Sequence, residues 1–268
     1  MLHSIPGLFC FWVDFVGRIA VTATVTDRQI ADWADALDGA APADILAWAA
    51  AEFAPRIGFA TGLGAEGCVL IHHIGMAGLP IDLFTIDTGV LFPETLELRH
   101  RLEQAYGIVI RRVQPALSLD AQAAAHGPEL WERDPDRCCA MRKVQPLDAE
   151  RAHLDAWISA IRRDQTRTRA TAHVVERDRA SGLVKVNPLV TWTHAQVWSF
   201  IRTHGIPYHP LHDRGYPSIG CEPCTTPVSE GEDPRAGRWR GRDKTECGLH
   251  LDRHAVPLVF HAARPEGA

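Results

Sequence analysis

The 268-residue sequence lacks an uninterrupted apolar run of the roughly 20 residues that a membrane-spanning helix needs. Its first residues are apolar, but they have no basic start and contain Asp14 and Arg18, which disfavours a secretory signal peptide. It also lacks an excess of positive charge, because 28 Lys and Arg residues stand against 33 Asp and Glu residues. These absences predict a soluble cytoplasmic protein that binds neither nucleic acid nor membrane, and in which any basic site is local.

Internal repeats and low-complexity segments are absent as well, and the 46% hydrophobic content is enough for one substantial core. The seven cysteines are an odd number, and without a secretion signal they are not expected to form a disulfide framework. Clustered cysteines in such a chain indicate metal binding or thiol chemistry instead.

Apolar runs that alternate with amphipathic stretches predict an α/β fold, with a parallel sheet and helices on both of its faces. Strands are predicted at 57–61, 81–87, 108–113, 157–160 and 184–186. Helices are predicted at 27–53, 66–77, 93–106, 140–153 and 193–204. From about Gly205 the chain is rich in Pro, Gly, His and Arg, which predicts an ordered loop region followed by a mobile tail.

Two pairs of cysteines provide a candidate metal site: Cys138 with Cys139, and Cys221 with Cys224. A single C-x-x-C is compatible with zinc or a redox dithiol, but a second pair makes a four-thiolate site the better interpretation. Adjacent cysteines fit poorly around one small ion but can reach two irons of a cluster. Ligand softness and spacing therefore favour an iron–sulfur cluster over zinc or unligated thiols.

Several motifs resemble those of the assimilatory adenylyl-sulfate reductases, the cluster-bearing branch of the phosphoadenylyl-sulfate reductase family. They are CCAMRKVQPL, CEPC and ECGLH, and the similarity extends from about residue 56 to residue 250 through FTIDTGVLFPET, WISAIRRDQT and PYHPLHDRGYPSIGCEPC. The resemblance implies a [4Fe–4S] cluster on the four paired cysteines and a fold like that of the adenine-nucleotide α-hydrolases. We accordingly divide the chain into an extension (1–26), a nucleotide-binding α/β reductase domain with the cluster site (27–228) and a mobile segment that carries the catalytic cysteine (229–268).

Cys247 is the candidate nucleophile, because it lies in KTECGLH with no cysteine partner nearby. Five cations between residues 233 and 244 face only two aspartates within that stretch, a field that favours thiolate and attracts an anion. By resemblance, two arginines contact the substrate's phosphosulfate, a lysine lies between cluster and substrate, and a histidine assists near the nucleophile: Arg235 and Arg238, Lys143, and His250.

The resemblance then implies a reaction. The thiolate attacks the sulfur of adenylyl sulfate, expels AMP and leaves an S-sulfocysteine. No resolving cysteine is assigned within the chain, so release of sulfite needs an external dithiol, for which thioredoxin or a glutaredoxin is expected. By resemblance, the cluster acts electrostatically rather than by passing electrons. Assembly into a homo-oligomer stays open.

The candidate nucleotide site begins at FATGLGAEGCVLI, a glycine-rich turn between a predicted strand and a predicted helix, where backbone amides can approach an anion. The family uses this loop for its nucleotide, usually with a hydroxyl where Leu63 stands and an acid where Gly67 stands. Two further motifs, DTG and RRDQ, end predicted strands. The predicted binding residues are Thr61, Gly64, Glu66, Asp87, Thr88, Gly89, Arg162 and Arg163. Which of the two arginines contacts the substrate is left open.

Other residues have structural interpretations. His72 and His73 are predicted to be helix-surface or packing residues. Cys10 and Cys68 are predicted to be spare thiols, and Trp192 and Trp198 to be core residues.

Three alternative functions stand beside this interpretation. One is the same reaction on 3′-phosphoadenylyl sulfate, against which the cluster cysteines weigh. Another is a cluster- or zinc-containing nucleotide-binding regulator without catalysis. The third is an ATP-consuming sulfur-transfer enzyme of the related pyrophosphatase group, against which the altered glycine loop and the ECGLH motif argue.

Overall fold

The computed structural model describes residues 25–244 and 246, so the predictions for the extension, for Cys247 and for His250 lie outside the described residues, as does Cys10. The helices are α1 (Asp27–Leu37), α2 (Pro42–Phe53), α3 (Ala65–Ala77), α4 (Pro93–Tyr106), α5 (Leu119–His126), α6 (Leu130–Arg133), α7 (Pro135–Cys139), α8 (Gln145–Arg151) and α9 (His194–His204). The strands are β1 (Ile57–Ala60), β2 (Asp82–Ile86), β3 (Arg111–Val113), β4 (Ala156–Ile158), β5 (Val175–Arg177) and β6 (Val184–Val186). Within this part of the chain, no helix is both long enough and apolar enough to cross a bilayer.

One six-stranded sheet, in the order β3-β2-β1-β4-β6-β5, forms the centre of the fold. Its neighbouring strands are parallel except β5 and β6, which are antiparallel. The predicted parallel sheet is therefore confirmed. β5 was not predicted, because its three residues, VER, are too few and too polar to produce a recognisable apolar pattern.

The strand order reverses next to β1, and this reversal indicates where a ligand site belongs. The chain runs outward from β1 through β2 to β3, and then returns to place β4 on the other side of β1. Because crossovers between parallel strands are right-handed, the helices before and after the reversal cover opposite faces of the sheet. Ligands of such sheets bind beyond the carboxyl ends of the strands at the reversal, which here are β1 and β4.

The core lies where helices pack on the sheet around β1. Phe59 of β1 is fully buried, and α3 packs against α2, α4 and α9 through apolar residues such as Leu70 and Ile71. Trp33 of α1 packs edge-to-face on Trp48 of α2, with 5.4 Å between ring centroids. The N-terminal helices thus pack on the same hydrophobic core as the sheet. This core holds the ends of the strands in place.

The single helix predicted at 27–53 is wrong, because the chain turns between α1 and α2. Gly39 has a left-handed φ of +76°, which ends the first helix, and Pro42 occupies the first turn of the second. The strand predicted at 108–113 is shorter than expected for a related reason. Ile108 still donates its N–H to the carbonyl of Glu103, at the end of α4, so only β3 itself is extended.

The helix predicted at 140–153 begins earlier and is interrupted. A π-helical turn, Ala140–Val144, joins α7 to α8 directly after the cysteine pair. Pro146 lacks the N–H that a regular α-helix would direct at the carbonyl of Arg142, which accounts for an interruption at this place. Such turns often mark functional sites.

The residues given structural interpretations lie in packed surroundings. His72 and His73 contact the ring of an α9 phenylalanine, and Trp192 and Trp198 pack against the core. Cys68 is fully buried, and burial raises the pKa of its thiol to about 12. A thiol of that kind stays protonated and unreactive at neutral pH.

The start of α9 provides a test of local stability. Thr193 Oγ1 accepts the Gln196 N–H (3.2 Å), and Gln196 Oε1 accepts the Thr193 N–H (2.7 Å), a complete capping box. We expect Thr193→Ala to lower the free energy of unfolding by about 1 kcal/mol, measured by denaturant titration. Thr193→Ser keeps the hydroxyl and serves as the control. Equal stabilities of the alanine and serine variants would contradict this role.

Candidate active site

Three loops meet at the carboxyl ends of the central strands. One follows β1 at residues 61–64, the second follows β2 at residues 87–89, and the third follows β4 at residues 159–163. Since β2, β1 and β4 are adjacent and parallel, their carboxyl ends lie on one edge of the sheet. The predicted nucleotide residues are therefore brought to the same edge.

The loop after β1 is held by a buried hydroxyl. Thr61 Oγ1 accepts the N–H of Leu63 at 3.0 Å, and Leu63 has a left-handed φ of +56° although it is not a glycine. That conformation costs roughly 1–2 kcal/mol for an ordinary residue, and such outliers cluster at functional sites. Gly64 precedes α3, and no described side chain caps the start of that helix. The first amides of α3 are thus available to an anion.

Leu63 and Gly67, the two positions expected to differ from the family's usual loop, both adjoin the Thr61 hydroxyl. A side chain at Gly67 would place its Cβ 2.7 Å from Thr61 Oγ1, so the position is closed to larger residues while Thr61 keeps its place. Leu63 is buried, so an apolar side chain satisfies its surroundings. The loop is therefore shaped by the Thr61 hydroxyl and by the missing side chain of Gly67.

Arg162 and Glu66 form an ion pair across the point of strand reversal. The Arg162 side chain is 5% exposed, and its Nε also donates to Asp164 Oδ1 at 2.9 Å. Arg163 points elsewhere, because its Nε donates to the carbonyl of Ala172 at 2.8 Å. The structure thus separates two arginines that the sequence could not distinguish. Of these two arginines, Arg162 is the one that pairs with a residue of the glycine-rich segment, Glu66.

Asp87 organises the loop after β2. Its Oδ1 accepts the N–H of Gly89 at 3.0 Å, and its Oδ2 accepts from the guanidinium of Arg112. Burial alone would raise the pKa of this carboxyl, but the bonds from Arg112 and Gly89 outweigh burial and hold the pKa below its usual value. Asp87 therefore stays ionised and shapes the turn, in which Gly89 has a φ of +77°.

The four predicted metal-site cysteines line one cavity. They share it with two cations of the π turn and with three apolar residues: Cys138, Cys139, Cys221, Cys224, Arg142, Lys143, Val90, Trp131 and Pro135. Thr88 joins this cavity to the sheet edge, since its Oγ1 lies 3.3 Å from Cys221 Sγ. Arg142 completes the connection by donating from Nε to the carbonyl of Thr88.

The CEPC loop is positioned by backbone hydrogen bonds on both sides. Cys221 forms an isolated antiparallel bridge with Leu91, and Glu222 donates its N–H to the carbonyl of Val90 at 2.9 Å. On the other side, Trp239 donates its N–H to the carbonyl of Cys224 at 3.0 Å. The loop after β2 and the segment near Trp239 therefore set the position of this cysteine pair.

The cysteine thiols affect each other's ionisation. Burial raises the pKa of Cys138 to about 11, with a further contribution from Cys221 and Cys224, while Arg142 and Lys143 act in the opposite direction. Four neighbouring thiolates need a compensating positive charge, so this donor set suits a soft metal centre. Among the described residues, no three or more His, Cys, Asp or Glu side chains are arranged to hold a single metal ion.

Trp239 is a residue of the site that the sequence did not reveal. It is 3% exposed and has a left-handed φ of +50°, a strained conformation for a bulky side chain. Its ring lies 4.5 Å from the guanidinium of Arg238 and 5.2 Å from the ammonium of Lys244. Arg238 in turn donates to the carbonyl of Ile219 at 3.2 Å. Trp239 thus links a predicted substrate arginine to the CEPC loop.

The predicted positive field of residues 233–244 needs a correction. Four of its five cations are paired with carboxylates, two of which lie about a hundred residues away in sequence: Arg235 with Glu246, Arg240 with Glu232, Arg242 with Glu132, and Lys244 with Asp136. Glu232 and Glu246 flank the stretch in sequence, whereas Glu132 and Asp136 are brought to it only by the fold. The cations of this stretch are therefore held in position by ion pairs, and nearby carboxylates partly neutralise their positive charge.

Comparison with known proteins agrees with this geometry. Residues 56–227 match the phosphoadenosine phosphosulfate reductase domain, and the chain belongs to that family. An adenosine 5′-phosphosulfate reductase of Halalkalibacterium halodurans is 46% identical over 208 residues, 77% of this chain and 90% of that protein. Adenosine 5′-phosphosulfate reductase 2 of Bacillus subtilis is 45% identical over 210 residues, 78% of this chain and 89% of that protein.

A solved structure gives the same result for the fold. The phosphoadenylyl-sulfate reductase of Candida auris, in a phosphate complex, superimposes with a TM-score of 0.67 at 32% identity and covers 75% of this chain and 98% of its own. The predicted family is therefore confirmed, and its fold agrees with the predicted α/β architecture of a mainly parallel sheet with helices.

Asp87 gives this site a pH-dependent prediction. Its folded pKa lies below the unfolded value of about 3.9, so its stabilising contribution is present above that pH and is lost as the pH falls through the folded pKa. We expect Asp87→Asn to lower the free energy of unfolding at pH 7 by roughly 1.5–3 kcal/mol. The difference from wild type should shrink below about pH 4, measured by denaturant titration.

Asp82→Asn is the matched control, because Asp82 pairs with Arg111 on the surface, where an ion pair contributes little. A loss at Asp87 no larger than the loss at Asp82, or one that is constant with pH, would disprove the assigned role.

Proposed function

We propose that this protein reduces adenylyl sulfate to sulfite and AMP with electrons from an external dithiol, as a step of sulfate assimilation. The observation that carries the proposal is the four-cysteine cavity that adjoins the loop after β2, where Thr88 Oγ1 lies 3.3 Å from Cys221 Sγ. It occurs in a chain 46% identical to a protein named adenosine 5′-phosphosulfate reductase.

The cavity residues fit the [4Fe–4S] cluster that the resemblance implies. Four thiols, Cys138, Cys139, Cys221 and Cys224, line one cavity, and soft thiolates are the ligands that iron–sulfur clusters use. Arg142 and Lys143 supply positive charge next to the thiolates. When bound, the cluster supplies a polarising charge beside the substrate and no electrons.

The nucleotide is proposed to lie along the three strand ends. The amides at the start of α3, after Thr61 and Gly64, would receive an anionic group, and Arg162 lies across from them, paired with Glu66. Lys143 belongs to the cysteine cavity, so it can act between cluster and substrate. The phosphosulfate would reach the arginines that follow the CEPC loop, Arg235 and Arg238.

In the proposed reaction, the Cys247 thiolate attacks the sulfur of the sulfuryl group. A new sulfur–sulfur bond forms, the bond from sulfur to the bridging oxygen breaks, and its electron pair leaves with AMP. Cationic side chains offset the charge that accumulates as two anions meet. His250 is proposed to assist near the nucleophile.

Sulfite release requires a second thiol. A thiolate of the reductant attacks Cys247 Sγ and expels sulfite, and its partner thiol then breaks the mixed disulfide. The reductant leaves as a disulfide and Cys247 returns as a thiolate, so the two electrons balance. We propose that thioredoxin or a glutaredoxin is the reductant, and that residues 229–268 form the segment that presents Cys247. Because these reductants keep thiols reduced in the cytoplasm, we propose that the protein acts there.

The direct experiment is incubation of anaerobically purified protein with adenylyl sulfate and reduced thioredoxin. We expect sulfite to form when thioredoxin is present. Without thioredoxin, we expect one sulfo group to remain on Cys247 as S-sulfocysteine, located by the mass of the peptide. Cys247→Ser should abolish sulfite formation while the visible absorption of the cluster persists, because the ligand cysteines are unchanged. Cys10→Ser is the control and should keep full activity.

Two outcomes would contradict this function. A wild-type protein that binds nucleotide but forms no sulfite would favour a nucleotide-binding regulator whose role does not involve Cys247. Faster turnover of 3′-phosphoadenylyl sulfate would assign the substrate of the Candida auris relative instead, since that protein is named for the 3′-phosphorylated nucleotide.

The two adjacent arginines provide a matched pair of variants. Arg162→Gln removes a buried cation and leaves Glu66 unbalanced next to the nucleotide loop, so AMP affinity should fall about tenfold. Arg163→Gln removes a bond to the carbonyl of Ala172 and should leave AMP affinity nearly unchanged. Calorimetric titration with AMP measures both. A larger loss in the Arg163 variant would reverse the assignment.

A further inference from the structure

Glu246 immediately precedes the proposed nucleophile in sequence and has unusual surroundings for a residue of a terminal segment. Its side chain is only 6% exposed. Arg169 Nη2 lies 3.1 Å from each of its carboxylate oxygens, and Arg235 Nη2 lies 3.2 Å from Oε2. The carboxylate is thus shared by two guanidinium groups from different parts of the chain.

Because the carboxylate is buried, these ion pairs differ from ion pairs on the protein surface. Exposed ion pairs contribute little, whereas a buried carboxylate that loses its partners carries a large desolvation penalty. The arginine side chains are themselves largely covered, at 11% and 21% exposure. At this position the Glu246 carboxylate has two charged partners, which it loses when the segment moves away.

The attachment leads to both halves of the proposed site. Arg169 also donates from Nη1 to Gln165 Oε1, which accepts the backbone N–H of Arg162 at 3.0 Å. The Arg235 carbonyl accepts the N–H of Arg238 at 2.8 Å, and the next residue, Trp239, donates its N–H to the carbonyl of Cys224 in the CEPC loop. Glu246 thereby connects the nucleotide edge with the cysteine cavity.

We propose that Glu246 is a positioning residue, which holds the nucleophile segment in place through its carboxylate and the guanidinium groups of Arg169 and Arg235. The inference rests on the proposed function. Consecutive Cα atoms are about 3.8 Å apart, so fixing Glu246 limits how far the neighbouring Cys247 can move. One carboxylate between two guanidinium groups also leaves a net positive charge, which would attract an anionic substrate rather than repel it.

The kinetic test is Glu246→Gln in the cluster-loaded protein. The amide cannot form the same charged pairs, so we expect the single-turnover rate of S-sulfocysteine formation to fall about 10- to 100-fold, the effect of a misplaced reactive group. AMP affinity should change less than about twofold, because binding of the nucleotide does not use this carboxylate. Glu246→Asp keeps the charge and should recover part of the rate. Glu230→Gln, an exposed residue of the same segment, is the matched control and should behave as wild type.

A double variant identifies the partner. If the two side chains act through one contact, Glu246→Gln combined with Arg169→Gln should be no slower than the slower single variant. Rate losses that simply multiply would show that the two residues act independently and would overturn the assignment.

Hydrogen exchange tests the attachment without using the reaction. In Glu246→Gln, but not in Glu230→Gln, amides of a peptide spanning residues 240–250 should exchange faster, measured by mass spectrometry. Unchanged exchange would disprove the positioning role, whatever the kinetics. Tighter AMP binding in Glu246→Gln would show that the carboxylate competes with the substrate, which also contradicts the proposal. If the protein does not reduce adenylyl sulfate, the exchange result still decides the attachment.

Discussion

The buried guanidinium of Arg142 connects the parts on which the candidate site depends. It donates to the carbonyl of Thr88 on one side and to Gln122 Oε1 (3.0 Å) on the other, and it lines the cysteine cavity. Burial lowers its pKa, and the nearby Cys138, Cys221 and Asp87 act in the opposite direction. A buried cation needs such anions, just as four thiolates need a cation. The cysteine cavity and the end of β2 are therefore joined through one buried cation.

The sequence predicted what depends on local patterns. β1, β2, the loops after them and the clustering of four cysteines follow from apolar runs, glycines and paired thiols, and the structure brings all of these together. It could not predict pairings that only the fold creates. Nothing in RRDQ distinguishes Arg162 from Arg163, because the difference is the partner Glu66, 96 residues earlier. The acids opposite residues 242 and 244 were missed for the same reason.

Two irregular backbone regions were also beyond local patterns. The π turn after Cys139 arises inside a sequence that looks helical throughout, and Trp239 combines a strained φ with contacts of its ring to two cations. Both irregularities border the cysteine cavity or its loop. Departures from regular geometry persist only where the surroundings enforce them, and they concentrate at functional sites. The strain at Leu63 fits the same view, since it shapes the turn before α3.

The proposed chemistry makes opposite demands on the nucleophile. The cysteine must lie close to the substrate for attack, and afterwards the reductant's thiolate must reach the same sulfur. A nucleophilic cysteine deep in the core would not be reached by the reductant. Cys68, which is fully buried, has such a position. A segment fastened by charged groups satisfies both, because the contacts of Glu246 with Arg169 and Arg235 can break and re-form without disturbing the sheet. The strength of that attachment then sets a balance between the rate of attack on adenylyl sulfate and the rate of reduction by the dithiol.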